Sequence, residues 1–508
     1  MNKTIKKNTI ERIKDVILVV LVLSTILLLY FFWKDITFKD ITFGDFVWQT
    51  EITSADALDA MDVVIPSNIL VCFDKDAVTY IVEGKRRCWD GGNSKDSNVK
   101  RGGMLQGIIA FHQADNLLME EIKAQEYEQI MSTQSIRAKF DYHVSFSGFC
   151  DKLEIKKISG YDNIEAMTEI GYSEESPQSL FLYDGFAGRY YRLVSNVPQE
   201  MFSTLFSNIP TQGYTAYDSI GAVALGADSE NATLIPLEIQ TNIKSFDYAK
   251  DFYLQDNPGE NEKITTMAKR FFGSGFDFVR KIEEVSGSVT YMYGYGEKVL
   301  IVGTDSTFEY KEEASGGTSQ LKYFDALDKA LQFIAEHGGF ETLDGQKLTP
   351  HLKQGTAIVD RKKGFRFVFG LSIDDYELSY TEGNALIVDV TGGQVTYLKR
   401  NYINFDESKV YGTNEDSFSV VNTLAQNYEE IYRILVDEKL MEVQPINEDK
   451  FTLVMEQVTG VRYGYIRQLP QEQSEEMVDA VWIIDLYGGA IEVYLDLSSE
   501  SLLGYTIK

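Results

Sequence analysis

The sequence predicts an α+β protein with a single N-terminal transmembrane helix, a mixed outer domain and two tandem modules, each a helix followed by an antiparallel sheet. Three observations favour this fold class: an uncharged apolar run near the N-terminus, a repeat near the C-terminus, and the composition. Of the 508 residues 44% are hydrophobic, and 30 Tyr and 30 Phe stand against 9 Pro. Such a composition is typical of large, strand-rich globular cores.

The apolar run predicts a membrane helix. Residues 16–33 form 18 uncharged positions, which a helix extends to about 27 Å, close to the thickness of a hydrocarbon core. The run ends on Tyr30-Phe31-Phe32-Trp33, and aromatic rings favour the membrane interface. Five basic and two acidic residues precede the run, whereas mixed charges follow it. We therefore expect a single-pass protein of the cell membrane, with a cytoplasmic N-terminus and an extracytoplasmic part after Trp33.

A cleaved signal peptide is the alternative interpretation of this run. Cleavage requires small residues after the apolar segment, and the first alanine of the chain is Ala55. The bulky end of the run favours an uncleaved anchor. Within the anchor, Ser24 and Thr25 either bond back to their own helix or contact another membrane helix. They are the candidate membrane-helix contact residues.

The net charge of the chain makes some classes of binding partner unfavourable. There are 48 Lys and Arg against 77 Asp and Glu, a formal net charge of −29. Phosphate backbones and anionic lipid surfaces repel such a chain. We therefore expect no nucleic-acid partner.

Residues 34–60 are interpreted as a stalk that leads into the mixed outer domain. Apolar spacing predicts helices over Gly107–Ser132 and Ile264–Phe278, with a loop at Asp256–Lys263 before the second helix. Short β-rich runs predict strands, and these lie at Ile65–Val71, Ala77–Val82, Ala138–Phe146, Ser179–Tyr183, Arg189–Val194 and Leu234–Ile239.

The C-terminal part repeats at an offset of 96 residues. Gly364–Phe369 resembles Gly460–Tyr465, and Leu386–Val395 resembles Trp482–Ile491. The two Gly-Gly pairs inside the second block predict tight hairpin turns. Amphipathic patterns at Tyr323–His337 and Phe418–Leu435 predict a helix before each copy. The expected units are therefore residues 1–33 (tail and anchor), 34–285 (mixed outer domain), 286–405 (first module) and 406–508 (second module).

Motifs that carry catalysis are missing from the sequence. The four histidines form no His-Glu-x-x-His helix, and no Gly-x-Ser-x-Gly elbow, Walker loop or Cys-x-x-Cys pair occurs. Gly273-Ser274-Gly275 lacks the Lys-Ser/Thr that completes a phosphate loop. Acidic pairs such as Asp374/Asp375 and Glu283/Glu284 are interpreted as solvated surface. We therefore expect no enzyme activity, no catalytic or metal-binding residues and no cofactor.

Two further groups of residues leave alternatives open. Asp389 and Asp485 occupy the same repeat position; they either contact a cation or peptide or, as we favour, cap their own hairpin turns. The three cysteines are too few for a disulfide framework or a structural zinc site. A bridge between Cys72 and Cys88 would contribute about 3 kcal/mol by loop entropy, but it is the less favoured arrangement.

The plan of anchor, outer part and tandem modules resembles the YycH family, and three short segments support this. Asp62–Val71 resembles the family's early Pro-containing strand entry, and Thr307–Tyr310 resembles the strand end before the central helix. The third, Ala335–Phe340, resembles the His-Gly-Gly-aromatic end of that helix. The chain is longer than is typical of the family, mostly in the first outer domain. The sister family YycI shares the anchor but has a shorter outer region.

The resemblance implies a non-enzymatic regulator of the two-component system that controls cell-wall metabolism in Gram-positive bacteria. The implied partners are a sensor histidine kinase of the YycG/WalK type and a YycI-type single-span protein. A second interpretation is a PepSY-like extracytoplasmic protein that binds peptides or regulates proteases, because helix-plus-hairpin modules also resemble PepSY domains. A structural scaffold of the cell envelope is a third.

Overall fold

The computed structural model describes residues 57–73, 79–82, 85–91, 103–198, 202–212, 214–226, 229, 231–240, 245–248, 262–314, 321–342, 345–358, 363–373, 376–380, 383–403, 405–411, 417–443, 449–467 and 477–507. They belong to one compact unit, Ala55–Lys508. The predicted tail, the anchor at 16–33 and most of the stalk lie outside these ranges. Among the described helices, none combines the length and apolar character needed to cross a membrane.

Ten α-helices are described in these ranges. They are α1 Ala60–Val63, α2 Lys85–Asp90, α3 Gly103–Gln113, α4 Ala124–Met131, α5 Phe146–Lys152, α6 Ser203–Gln212, α7 Glu262–Phe272, α8 Tyr323–Glu336, α9 Val420–Asp437 and α10 Lys450–Glu456.

The N-terminal half forms a sheet with the strand order β3-β7-β6-β5-β4-β1-β2-β8-β9. Its strands are β1 Asn68–Cys72, β2 Thr79–Val82, β3 Leu118–Ile122, β4 Ser135–Val144, β5 Met167–Ser173, β6 Ser179–Asp184, β7 Arg189–Val194, β8 Tyr214–Ser219 and β9 Leu234–Pro236. All of its described pairings are antiparallel. Along each strand, alternate side chains point to the face of the sheet that packs on helices.

Most of the remaining strands form a second sheet. Its main order is β12-β13-β14-β15-β20-β19-β17-β18-β23-β24-β11-β21, with β16 beside β17 and with β25 and β26 continuing from β24. The strands are β11 Ser245–Tyr248, β12 Arg280–Glu283, β13 Val289–Tyr293, β14 Lys298–Val302, β15 Thr307–Glu312, β16 Thr349–Ile358, β17 Gly364–Ile373, β18 Tyr376–Tyr380, β19 Leu386–Thr391, β20 Gln394–Asn401, β21 Phe405–Tyr411, β23 Val458–Arg467, β24 Met477–Leu486, β25 Ile491–Asp496 and β26 Leu502–Ile507. A separate ribbon pairs β10 Ile239–Gln240 with β22 Ser417–Phe418.

The helix predicted over Gly107–Ser132 is wrong, because the chain turns within it. Asn116 adopts φ 57, a left-handed conformation that asparagine tolerates. After this turn Leu118–Ile122 pairs with β7 as an edge strand, and α4 begins at Ala124. Tertiary pairing thus overrides an apolar spacing that suited one long helix.

The helix predicted over Ile264–Phe278 is confirmed in its first part. α7 begins at Glu262, inside the predicted loop, and ends at Phe272. Gly273 adopts φ 53, and a 3₁₀-helix covers the next residues up to Phe278. The positive φ of glycine ends the α-helical path at this point.

The two copies of the repeat contain helices and strands in the same order. In the first, α8 precedes β17, and β19 turns at Gly392-Gly393 into β20; in the second, α9 precedes β23, and β24 turns at Gly488-Gly489 into β25. All four glycines have positive φ, as tight hairpin turns require. The parallel pairing of β18 with β23 joins the two units within one sheet.

The hydrophobic core continues across the predicted domain boundaries. One cluster of buried side chains contains residues of the N-terminal sheet together with Leu327 and Phe367 of the first module. At the same interface the Lys152 ammonium pairs with Asp328 at 2.7 Å and with Asp59 at 2.8 Å. A second cluster covers the second module and includes Leu371 of the first. The boundaries at residues 285 and 405 stay predictions.

Candidate functional site at the seam between the modules

The two modules meet where β18 lies parallel to β23; we call this strand pair the seam. Glu377 is level with Gly464 and Tyr380 is level with Arg467. A Cβ atom on Gly464 would lie 2.3 Å from the backbone oxygen of Glu377. The close approach of the two strands therefore requires glycine at position 464.

A network of charged side chains covers the seam; the seam cluster is Lys353, Glu377, Arg462, Asp485 and Glu492. The Arg462 guanidinium donates to Glu377 at 3.1 Å and also to Asp485 and Glu492. The Lys353 ammonium donates to Glu377 at 2.6 Å. The side chain of Arg462 is 29% exposed and that of Glu492 is 5% exposed. Arg462 thus ties one strand of the first module to two strands of the second.

The electrostatics of the cluster favour the charged forms of Glu377 and Arg462. Burial alone would raise the pKa of Glu377, but the charges of Lys353 and Arg462 hold that pKa well below its usual value. Burial opposes the charge of Arg462, whereas Glu377, Asp485 and Glu492 raise its pKa. The ionised forms of Glu377 and Arg462 are therefore favoured, since each lies within hydrogen-bonding distance of an opposite charge.

The carboxylates of Asp389 and Asp485 each pair with an arginine on the neighbouring strand. The Asp389 carboxylate accepts two hydrogen bonds of 2.7 Å from Arg366 on the neighbouring strand, and Asp485 accepts one from Arg462. Arg366 and Arg462 are themselves 96 residues apart. The repeat therefore conserves an arginine–aspartate pair between its two copies. Both arginines occupy the third position of the quoted repeat blocks, a signal that the sequence analysis missed.

A second arginine reinforces the seam at the end of β23. The Arg467 guanidinium donates to the backbone oxygen of Asp305 at 2.9 Å and to the Ser306 hydroxyl at 3.0 Å. The guanidinium carbon of Arg467 lies 6.0 Å from the ring centre of Tyr380. The second module thereby holds the turn before β15 in the first module.

Three of the four histidines are structural. His112 Nδ1 lies 2.7 Å from the Ile108 carbonyl, and His337 Nδ1 lies 2.6 Å from the Phe333 carbonyl, one turn earlier in each helix. Burial lowers the pKa of both residues and lowers the pKa of His351 to about 3. These three imidazoles are therefore neutral at pH 7.

The end of helix α8 is built around His337. Its ring stacks on Phe333 with centroids 3.8 Å apart, and Gly338 and Gly339 follow with φ 116 and 59. The Gly339 N–H donates to the Ile334 carbonyl at 2.8 Å, which closes the helix. The Arg400 guanidinium then donates to the carbonyl of Gly339. The His-Gly-Gly segment is thus a helix end that a sheet arginine fixes in place.

The cysteines form no disulfide with one another. Cys88 and Cys150 are buried free thiols, and the Cys72 thiol donates to the Ser132 carbonyl at 3.6 Å. Burial raises the pKa of Cys88 and of Cys150 to about 12. The less favoured Cys72–Cys88 bridge is therefore wrong for this structure.

We expect the three thiols of the native protein to resist a water-soluble disulfide reagent at pH 8. Burial keeps the reagent away from all three thiols. The thiolate is the reactive form, and the raised pKa of Cys88 and of Cys150 also keeps those two thiols protonated at pH 8. Absorbance of the released chromophore should show about three reactive thiols after denaturation and almost none before it. A fast-reacting thiol in the native protein would contradict this, and a sample treated first with reductant serves as the control.

The remaining predicted site residues are placed as follows. Ser24 and Thr25 lie outside the described residues, as do Asp374 and Asp375. Glu283 is exposed on β12, beside the exposed Glu284. Among the described residues, no group of three or more His, Cys, Asp or Glu side chains is arranged to hold a metal ion.

Comparisons with known proteins give two structural likenesses. No protein-family model matches the chain, and no curated protein matches it. YycH from Bacillus subtilis superimposes with a TM-score of 0.48 and 10% identity, over 87% of this chain and 98% of that chain. The C-terminal domain of Bacillus megaterium YpeB gives a TM-score of 0.25 and 9% identity, over 49% and 97%. At these values neither likeness carries an argument about function.

Proposed function

We propose that the protein is a non-enzymatic extracytoplasmic regulator of a membrane sensor histidine kinase, in a two-component system that controls cell-wall metabolism. It acts through its membrane helix and its outer part, together with a YycI-type single-span protein. The proposal rests on the predicted anchor and on the sequence resemblance to the YycH family. It places the protein in the cell membrane, with residues after Trp33 outside.

The structural observation that supports the proposal is the union of the two modules in one sheet. The seam pairs strands of both modules, and Arg462 and Arg467 add charged contacts across it. In this proposal a partner binds to this body as a unit.

Regulation of this kind is a shift between two signalling states of the kinase. A partner that contacts one state better than the other by about 1–3 kcal/mol changes their ratio by about 5–150-fold. Ser24 and Thr25 offer small, polar positions for a contact with a kinase helix inside the membrane. The sign of the regulation, inhibition or activation, follows from which state these contacts favour.

Crosslinking of the full-length protein in its native membrane, followed by mass spectrometry, tests the choice of partner. We expect the captured proteins to include a sensor histidine kinase and a second single-span protein. Capture of a protease or of a wall enzyme without a kinase would overturn the proposal and favour the PepSY-like alternative. A chain without residues 1–33 serves as the control, since the contact through the membrane helix is then lost.

Ser24→Leu combined with Thr25→Leu is expected to change kinase-dependent transcription at least about fivefold, because bulky side chains block a close helix contact. A reporter gene in cells measures this output, and immunoblotting checks the amount of protein in the membrane. Val19→Leu, on the opposite face of the predicted helix, is the matched control and should leave the output unchanged. Equal reporter output from the Ser24→Leu/Thr25→Leu variant and from Val19→Leu would refute the contribution of the helix.

A further inference from the structure

Strand β12 is an open edge of the second sheet. It comes first in the strand order, and β13 is the neighbour with which it pairs among the described strands. All four of its residues are exposed, and so are Phe278 before it and Val285 after it. An exposed edge of this kind is a template for pairing with another strand.

The hairpin after β12 fixes which of its backbone groups face outward. The Glu284 N–H donates to Ser288 and the Gly287 N–H donates to Glu284, each at 2.9 Å. Glu284 and Ser288 therefore form a hydrogen-bonded pair, and alternate residues towards the start of β12 face β13 in the same way. By this alternation the backbone groups of Lys281 and Glu283 point away from β13. An added antiparallel strand must bond to these two residues.

The charges around β12 are complementary to those of a second copy of the same segment that runs in the opposite direction. Residues 279–285 read Val-Arg-Lys-Ile-Glu-Glu-Val. When a second copy runs antiparallel with Ile282 opposite Ile282, each Lys281 faces a Glu283 and each Arg280 faces a Glu284. Val279 then faces Val285 at both ends.

We infer that two copies of this chain associate by pairing their β12 strands in this register, so that one sheet continues across both copies. The register agrees with the backbone, since Lys281 and Glu283 become a hydrogen-bonded pair and the two Ile282 residues become a non-hydrogen-bonded pair. Opposite charges and apolar side chains placed directly across a strand pair are stabilising. The arrangement is a twofold contact in which one surface serves both partners.

In the nearest other registers the outward-facing backbone groups of the two strands can still bond to each other, but like charges lie opposite each other. A shift by one residue of each strand places Lys281 opposite Lys281, or Glu283 opposite Glu283. Edge strands that protect a protein from pairing carry charges that repel a second copy. Here basic residues occupy one half of the strand and acidic residues the other, an order that attracts a reversed copy of itself. This antisymmetry identifies the partner as the chain itself.

Sedimentation of the full-length protein in detergent micelles, corrected for bound detergent, tests the inference. We expect a mass that rises with concentration to that of a dimer. Glu283→Lys with Glu284→Lys makes the strand wholly basic, and Arg280→Glu with Lys281→Glu makes it wholly acidic. Each variant alone should dimerise at least about tenfold more weakly. A mixture of the two should form dimers again, and so should a chain that carries all four substitutions.

A monomeric native protein, or dimers that persist in both single-sign variants, would overturn the inference; in the second case the contact lies elsewhere. Circular dichroism checks that each variant folds, which we expect because the four positions are exposed.

A crosslink tests the register. Ile282→Cys should give a disulfide-linked dimer, because Cα atoms of a non-hydrogen-bonded pair lie about 4.5 Å apart. Val285→Cys, about 20 Å from its own copy in this register, is the control. The native cysteines are buried and do not compete. Equal crosslinking of both variants would contradict the register.

Discussion

Replacing Arg462 with methionine is expected to lower the free energy of unfolding by about 3 kcal/mol at pH 7. Arg462 donates to Glu377, Asp485 and Glu492 at once, and its loss removes the cation that these three carboxylates share. Removing one partner from a buried ion network costs about 3–5 kcal/mol. The lower end applies because the Arg462 side chain is 29% exposed. Urea denaturation followed by far-ultraviolet circular dichroism measures the change.

The repeat supplies the matched control, Arg366→Met. Arg366 occupies the equivalent position in the first module, but among the described residues it pairs with one carboxylate, that of Asp389, and its side chain is 49% exposed. We expect this substitution to cost about 1 kcal/mol or less, as for other exposed ion pairs. Equal losses for the two variants would contradict the central role that we assign to Arg462.

The effect of Arg462→Met should also depend on pH. The pKa of Glu377 is lowered in the native protein, so this group contributes stability above its unfolded pKa of about 4.3. That contribution is lost as the pH falls through the lower native pKa. The variant holds Glu377 less firmly in its ionised form, and protonation relieves the repulsion among its carboxylates. The stability difference between native protein and variant should therefore be largest at neutral pH and should shrink below about pH 5.

The sequence predicted the elements whose periodicity is local. Helix α8 begins at Tyr323, as its apolar spacing indicates, and both Gly-Gly turns adopt the positive φ that tight hairpins need. The Gly107–Ser132 pattern failed because an edge strand of that segment gains its hydrogen bonds from β7, more than 60 residues away in the chain. Spacing within a segment carries no information about such a distant partner.

The same limit applies to the site. The repeat placed Asp389 and Asp485 at equivalent positions, and the equivalent arginines were visible in the same blocks. The contact between Glu377 and Arg462 was not visible, because it depends on the parallel pairing of β18 with β23. That pairing joins strands whose residues are more than 80 positions apart and has no counterpart inside either repeat unit. The seam is therefore a property of the assembled sheet, whereas its arginine–aspartate pairs are a property of the repeat.

Gly464 offers the most direct test of the seam. Gly464→Ala is expected to lower the free energy of unfolding by about 2–3 kcal/mol, because the new Cβ atom would lie 2.3 Å from the backbone oxygen of Glu377. A backbone atom within a paired strand cannot move aside as the end of a side chain can. Val368 stands at the equivalent position of the first module, where β17 lies between β16 and β19. The glycine therefore belongs to the contact between modules and not to the repeat itself.

Gly504→Ala in β26 is the matched control, since no heavy atom lies within 4 Å of its added Cβ; we expect a change within about 0.5 kcal/mol. Hydrogen exchange then shows which strands the Gly464→Ala substitution destabilises. In Gly464→Ala, amides of β18 and β23 should exchange faster, while those of β19 and β20 should keep their protection, because strands open in local cooperative units. Faster exchange throughout the first module would mean that the substitution unfolds more than the seam. Unchanged exchange at β18 and β23 would mean that the two modules do not depend on this contact.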